Sequence, residues 1–311
     1  MSDYAYVADR AKKAFASVAR LEGALARKPS DRGLSINLAS MRRMAEQARL
    51  ELERLAEVNN IEVCEYRMVP VQSGGYGLAH VSRVLLEYQN LFTQLHDAIK
   101  NGPKTKAMFG EEAEKESTLD FAYSYSGSLG VVMLARSDRD FFAGNLDKSI
   151  DALYQILDVS DVDRVKDISH SLGRAVVKRV HDWSKAHVDG GFSADVQWKR
   201  SDGRILAQMI DRSRLAEIVG FIDATADEKT VPVTIRAMLV GGNVSSRSFH
   251  LSEPQGNTFI GHIGEGAELP QNMTLGQMYE AVIDVSETYY YATEKTKKIN
   301  ILKRLAGPLS S

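Results

Sequence analysis

The chain has 311 residues, of which 44% are hydrophobic and 26% are charged, and its 39 Lys and Arg nearly balance 41 Asp and Glu for a net charge of −2. These fractions are ordinary for a globular protein, and they exclude a disordered chain, a collagen-like chain and a strongly basic nucleic-acid tail. At roughly 100–200 residues per domain, the length predicts two or three domains.

Residues 1–58 predict an antiparallel, coiled-coil-like helical hairpin. Two apolar seams step by three and four residues, the spacing that keeps apolar side chains on one helix face. The seams hold Val7, Ala11, Ala14, Val18, Leu21 and Leu25, then Leu34, Leu38, Met41, Ala45, Ala48, Leu52 and Leu55. Pro29 ends the first helix, and Ser30 or Asp31 caps the second by accepting a bond from a free backbone N–H. Each arm is about 35 Å long at 1.5 Å per residue.

Two interpretations of this hairpin stay open at the level of sequence. In the first, the seams bury each other and the rest of the domain. In the second, the hairpin serves self-association or the docking of a protein partner, because an alanine-rich helix pair buries little area at roughly 25 cal/mol per Å². Phe15, Met44 and Leu50 lie off the seams and need another surface. We therefore predict a homo-oligomer.

Residues 61–225 predict an α+β body, because helices and strands are mixed without a regular βαβ rhythm. Helices are expected over 78–100, 147–157, 162–187 and 212–224, and strands near Cys64, in two pieces within 118–135, and over 192–198 and 204–209. Asn101-Gly102-Pro103 ends the first of these helices, since glycine tolerates the left-handed cap and proline cannot continue a helix. The charged, poorly periodic residues 104–117 predict a flexible loop.

Residues 227–311 predict a small β-barrel of the OB-like or SH3-like size. Short strands are expected over 231–240, 246–251, 258–263, 278–285, 288–291 and 298–302. Gly241-Gly242-Asn243 and Pro254-Gln255-Gly256-Asn257 are tight-turn signals between them. The chain as a whole is thus expected to be an α+β, multidomain protein, and a barrel of this size does not by itself indicate a function.

The expected barrel carries the most credible binding surface of the sequence. Tyr289, Tyr290 and Tyr291 are consecutive, so at least one of them points outward from a regular strand. Basic side chains lie nearby, namely Arg247, His250, Lys295, Lys297, Lys298, Lys303 and Arg304. Exposed aromatics with basic neighbours favour single-stranded nucleic acid, through stacking and phosphate neutralisation. The alternative is a protein-docking face, or a strand edge that lysines protect from pairing.

The segment Ser126-Gly127-Ser128-Leu129-Gly130 is the one candidate for nucleophilic catalysis. It is a variant of the Gly-x-Ser-x-Gly elbow with Ser126 in place of the first glycine. That motif needs a strand before it and a helix after it, whereas Val131-Val132-Met133-Leu134 predicts a strand. We therefore expect a β-turn here and keep a hydrolase dependent on Ser128 as an alternative.

No metal or cofactor is expected. His181 and His187 are six residues apart, which places them on nearly opposite helix faces, and His170 is too distant along the helix to share an ion. The acidic segment 158–163 lacks the glycine and the closing Glu of a calcium loop. The glycines at 74–77 precede a helix, but no Gly-Lys-Ser/Thr and no Rossmann spacing accompanies them.

The compartment is predicted from what the sequence lacks. The single cysteine, Cys64, can form neither an intramolecular disulfide nor a cysteine-based zinc site. Residues 1–4 have no secretion-signal character, and no apolar run approaches the ~20 residues of a bilayer span. We predict a cytoplasmic, non-catalytic assembly protein without membrane association, which self-associates through the hairpin and docks a partner or ligand through the barrel. Nucleic-acid binding by the barrel is the main alternative.

Overall fold

The computed structural model describes residues 3–71, 75–125, 129–136, 144–243 and 245–308, excluding the side chains of residues 3 and 4. Its helices are α1 (Asp3–Arg27), α2 (Arg32–Val58), α3 (Leu78–Asn101), α4 (Glu111–Ser117), α5 (Asn145–Ile156), α6 (Val162–Leu172), α7 (Arg174–Gly190) and α8 (Arg212–Ala224). Its strands are β1 (Ile61–Pro70), β2 (Asp120–Tyr125), β3 (Leu129–Arg136), β4 (Phe192–Lys199), β5 (Ile205–Ile210), β6 (Ala226–Asn243), β7 (Ser248–Ser252), β8 (Thr258–Glu268), β9 (Met278–Tyr290) and β10 (Lys295–Ala306). The predicted α+β class is confirmed.

The chain divides into two compact units, Met1–Ala224 and Thr225–Ser311. The sequence places a boundary between residues 58 and 61, but the structure joins the helical hairpin and the α+β body in one unit. The physical reason is shared packing, since Ala48, Leu52 and Ala56 of α2 form one core cluster with Ile61 and Val63 of β1.

Helices α1 and α2 form the predicted hairpin. The Asp31 side chain caps α2 by accepting a hydrogen bond from the Leu34 N–H at 3.0 Å. The distal half of the hairpin packs against itself, in a cluster built on Val18, Leu38 and Ala45. Its other half packs on the sheet.

Five strands of the first unit form an antiparallel sheet in the order β2-β3-β1-β4-β5. The central strand β1 alternates between the two faces, as a strand must. Val63 lies on the face that the hairpin covers, and Cys64 and Tyr66 lie on the face that α3 and α7 cover. The sheet is therefore the middle layer of three.

Two predicted elements of this unit are wrong. Residues 104–117 are not all loop, because α4 forms at Glu111, where acidic side chains in the first turn suit the helix dipole and Ala113 is buried. The predicted helix 162–187 is broken into α6 and α7 at Gly173, which has φ = +95°. A Cβ at Gly173 would lie 2.5 Å from the backbone N and O of Lys104, so the chain approaches too closely for any other residue.

In the second unit, five strands pair in the order β10-β8-β7-β6-β9, and the pairing of β9 with β10 closes the sheet into a barrel. Only β8 and β10 pair in parallel. The core is apolar and includes Leu239, Phe249, Leu251, Tyr279 and Leu302. The strands predicted over 278–285 and 288–291 are one strand, β9, because β6 pairs with its whole length and β10 pairs with residues 280–290.

Candidate interaction surfaces

The three consecutive tyrosines differ in their environment. Tyr291 is 1% exposed, and its hydroxyl donates to Asp227 Oδ2 at 2.8 Å. The half-buried Tyr289 packs its ring against Tyr291, with 5.7 Å between the ring centroids. Tyr290 is 38% exposed and is the one that can meet a ligand.

The register of β9 and β10 decides which basic side chains accompany Tyr290. Tyr290 pairs with Lys295, and Thr288 pairs with Lys297. Directly paired residues and residues two apart share a face, so Tyr290, Lys295 and Lys297 lie together. Lys298 pairs with Glu287 on the other face, where its Nζ is 3.9 Å from the carboxylate.

Arg247 and His250 lie elsewhere on the barrel. Arg247 adopts φ = +48°, and its Nη2 donates to the Gly264 carbonyl at 2.6 Å. The next residue, Ser248, pairs with His262, which pairs in turn with Ile301 of β10. Lys295 lies six residues before Ile301, so about 20 Å of strand separates the two groups.

His250 is half-buried in β7 and pairs with Ile260. Acidic residues also accompany the basic ones, since Lys303 lies 3.6 Å from Asp284 and Arg304 lies 3.6 Å from Glu268. Residues 225–311 hold eight Lys and Arg against nine Asp and Glu. The predicted basic and aromatic site thus becomes two separate groups on a nearly neutral barrel.

A second exposed surface lies on α2. Four large apolar side chains are exposed there: Ile36 (63%), Met44 (55%), Leu50 (52%) and Val58 (74%). At 100° per residue they fall within a sector of about 120°, opposite the buried side chains of the same helix. We call these four residues, with the exposed Arg43, Gln47 and Glu51 between them, the outer α2 face.

Sequence reasoning found only part of the outer α2 face. Met44 and Leu50 were expected to need another surface, as was Phe15. Phe15 packs against the sheet, where its ring stacks on Tyr123 with 4.9 Å between the ring centroids. Ile36 and Val58 were missed, because positions 36, 44, 50 and 58 are spaced by six and eight residues rather than by three and four.

A cleft of about 400 Å³ lies between α2 and the sheet. Lys199 Nζ lies 2.6 Å from Glu53 Oε1 and 2.8 Å from Glu65 Oε1, and Arg49 Nη1 lies 2.6 Å from Glu53 Oε1. We call these four residues the cleft ion network. Since the charges pair with one another, the network ties α2 to β1 and β4 rather than offering a charge to a ligand.

The buried polar groups between the sheet and α7 serve packing. Tyr66 accepts a hydrogen bond from Trp183 Nε1 at 2.8 Å, and its oxygen lies 2.5 Å from His187 Nε2. Burial lowers the pKa of His187 to about 3, so its ring is neutral and shares one hydrogen bond with the Tyr66 hydroxyl. Burial likewise raises the pKa of the Cys64 thiol to about 12, which makes it unreactive.

The histidines of α7 do not converge. His181 lies between two carboxylates, 3.3 Å from Asp182 and 3.1 Å from Asp223, whereas His187 faces Tyr66. Within the ranges that the structure covers, no group of three His, Cys, Asp or Glu side chains could hold a metal ion. Over the same ranges, no helix is both long enough and apolar enough to cross a bilayer.

Ser126, Gly127 and Ser128 of the candidate nucleophile motif lie outside the described residues. A different Ser-His-Glu chain, missed by the sequence reasoning, joins α3, α4 and α5. His96 lies 3.2 Å from Ser149 Oγ and 3.1 Å from Glu116 Oε2. Ser149 is fully buried, and its hydroxyl donates to the Asn145 carbonyl one turn earlier at 2.6 Å. This hydroxyl is therefore inaccessible to a substrate. The hydrogen bonds from Ser149 through His96 to Glu116 connect α5, α3 and α4.

Comparison of the chain with models of protein families, with curated proteins and with solved structures yields no match. The surfaces described above therefore carry the functional argument.

Proposed function

We propose that this protein is a non-catalytic assembly protein, which self-associates through the outer α2 face and docks a second macromolecule through its C-terminal barrel. The observation that carries the proposal is the outer α2 face. Four large apolar side chains, each more than half exposed, line one side of a helix whose other side is already buried against α1 and the sheet.

The four apolar side chains of the outer α2 face are each more than half exposed, so they contribute little to the folding of the chain that presents them. Scattered apolar side chains are normal on a protein surface, but a row of them along one helix marks an interaction site. A helix with two apolar sides is typical of the inner members of a helical bundle. The proposal therefore assigns the second side of α2 to another subunit.

We infer further that the barrel is of the OB type rather than the SH3 type. The support comes from its strand order. Numbered in chain order as strands one to five, the ring runs 1-2-3-5-4, and strands three and five pair in parallel. This is the arrangement of OB barrels, which commonly bind extended polymers on their outer surface. The type of barrel does not name the ligand.

Light scattering coupled to size exclusion tests the assembly proposal. The full chain is expected to elute with a mass above its own 34.4 kDa, and Leu50→Glu is expected to lower that mass. Leu86→Glu is the matched control, because Leu86 is a 58% exposed leucine on another helix of the same unit. A full chain that stays at the mass of one copy at every concentration would contradict the proposal.

Nucleic-acid binding by the barrel is the second candidate, and the shared face of Tyr290, Lys295 and Lys297 favours it. Neither lysine has an ion-pair partner among the residues that the structure covers. Titration of labelled single-stranded DNA at two salt concentrations tests this candidate. Two phosphate contacts predict a slope of about −1.4 in log K against log salt, which the double charge reversal Lys295→Glu and Lys297→Glu removes. An affinity for single-stranded DNA that changes neither with salt nor with these substitutions would exclude nucleic-acid binding by this face.

A further inference from the structure

We propose that the outer α2 face binds the same face of a second copy of this chain, with the two α2 helices antiparallel and a two-fold axis through Gln47. This inference rests on the proposed self-association and specifies its geometry. It follows from the order of the exposed side chains along α2.

The apolar side chains of the outer α2 face are arranged symmetrically about Gln47. Ile36 and Val58 lie eleven positions on either side of it, and Met44 and Leu50 lie three positions on either side. In an isologous interface, a residue of one copy meets its mirror position on the other. Ile36 therefore meets Val58 of the second copy, and Met44 meets Leu50 of the second copy. Each contact occurs twice, so all eight side chains are covered.

Arg43 and Glu51 obey the same symmetry, whereas the exposed Arg54 of the same sector lies opposite Ser40 of the second copy. Arg43 and Glu51 lie four positions on either side of Gln47, so the two-fold axis brings each guanidinium to the carboxylate of the other copy. Arg43 makes no ion pair within the described part of its own chain. Glu51 is already bonded to Arg10, and a carboxylate with two oxygens accepts a second guanidinium. A parallel pairing would instead place Arg43 against Arg43 and Glu51 against Glu51, which charge repulsion opposes.

The length of the face suits a helix pair. Ile36 and Val58 are 22 residues apart, which corresponds to about 33 Å of helix. Each α2 is backed by α1 of its own chain, so the paired copies form a four-helix layer with the two α2 helices at its centre. The buried side of α2 keeps its contacts with α1 and the sheet throughout.

A charge-exchange experiment on the full chain tests this arrangement. In Arg43→Glu, two like-charged pairs of carboxylates oppose the homodimer, and in Glu51→Arg two pairs of guanidinium groups do so. Each variant alone is expected to self-associate roughly tenfold more weakly or worse. Mixing the two variants restores both pairs, one with the native signs and one with the signs exchanged, so a heterodimer forms. Arg42→Glu is the control, because Arg42 pairs with Glu22 of its own chain outside the outer α2 face.

Crosslinking at the axis provides an independent measurement. The native Cys64 is fully buried, so Gln47→Cys introduces the accessible thiol. A residue on a two-fold axis meets itself, and mild oxidation is expected to give a disulfide-linked dimer. Lys12→Cys, at an exposed position on α1, is expected to give no dimer under the same conditions. Circular dichroism of each variant checks that the fold is retained.

The outcomes separate the two proposals. A wild-type chain that is monomeric overturns the self-association and this geometry with it. A dimer that survives Arg43→Glu, or that yields no crosslink through Gln47→Cys, overturns the antiparallel arrangement and leaves self-association standing. Selective pairing of Arg43→Glu with Glu51→Arg, together with the crosslink, supports both.

Discussion

The two faces of the five-stranded sheet are built from different chemistry. Toward α3 and α7, the sheet presents large aromatic side chains whose polar atoms bond one another, as in Trp198 Nε1 to the Tyr88 hydroxyl at 2.9 Å. Toward the hairpin, it presents aliphatic side chains of β1 and β3, Tyr123 and the cleft ion network. The first face is sealed from water, and the Tyr and Trp polar atoms there bond one another or a neutral histidine. The second face is partly hydrated, so charges are tolerated in pairs.

The difference also shows in coverage. The hairpin packs over β1, β2 and β3, and Ile205 and Met209 of the edge strand β5 remain 59% and 51% exposed on the same face. The face toward α3 and α7 is thus the more completely covered of the two, and we expect it to contribute more to the stability of the first unit.

Removing an aromatic from the sealed face should have the largest effect. Trp198→Ala leaves a cavity beside Phe92, whose ring stacks on Trp198 at 5.1 Å between centroids, and deprives the Tyr88 hydroxyl of its donor. We expect a loss of about 3–5 kcal/mol in the free energy of unfolding. Urea titration followed by the fluorescence of Trp183 measures it. A loss below about 1 kcal/mol would show that the face toward α3 and α7 does not dominate the stability of the first unit.

His187 should make the first unit sensitive to acid. Its pKa is about 3 in the fold and about 6.5 in the unfolded chain, so below pH 6.5 the unfolded state binds a proton that the fold excludes. Stability is complete above pH 6.5 and falls as the pH drops toward 3. Between pH 7 and pH 5 we expect a loss of about 2 kcal/mol from this group.

Urea titrations at the two pH values measure this loss. His187→Gln is expected to reduce the loss by that amount, and His170→Gln, at an exposed histidine, is expected to leave it unchanged. Equal acid sensitivity in wild type and His187→Gln would show that the buried ring is not the cause.

Removing one hydroxyl from the sealed face should have an intermediate effect. Tyr66→Phe keeps the ring but leaves Trp183 Nε1 and His187 Nε2 without their partner. A buried polar group without a partner is costly, and we expect a loss of about 1–2 kcal/mol. Chemical denaturation of the variant measures it, with the exposed Tyr290→Phe as a control that changes little. An unchanged midpoint would mean that water reaches this pocket.

The smallest effect should come from the hairpin face. Lys199→Met removes the cation between Glu53 and Glu65, whose side chains are 20% and 16% exposed. We expect a loss of about 1 kcal/mol at low salt, which shrinks at 1 M salt because screening weakens the lost attraction and the remaining repulsion alike. Denaturation at the two salt concentrations measures it. A loss as large as that of Trp198→Ala would remove the distinction between the faces.

Local signals in the sequence predicted the limits of two helices. Asp31 caps α2 through its side chain, and Gly102 ends α3 with φ = +89°. These features depend on residues within one turn of each other, so the sequence carries them directly. The break at Gly173 is different, because the apolar spacing continues across it. It occurs where Gly173 adopts φ = +95° against the backbone of Lys104, which lies far away in the chain.

The candidate surfaces also depend partly on local sequence signals and partly on contacts between distant residues. The sequence by itself determined that the hairpin forms and that some apolar side chains lie off its seams, because helical periodicity is a local property. Only the tertiary structure decided that Phe15 is covered by Tyr123 while Met44 and Leu50 stay exposed, because that depends on where the sheet packs. The tertiary structure likewise decided that Tyr290 and Lys295 share a face and that Arg247 lies away from both. The reason is that cross-strand register determines which residues share a face.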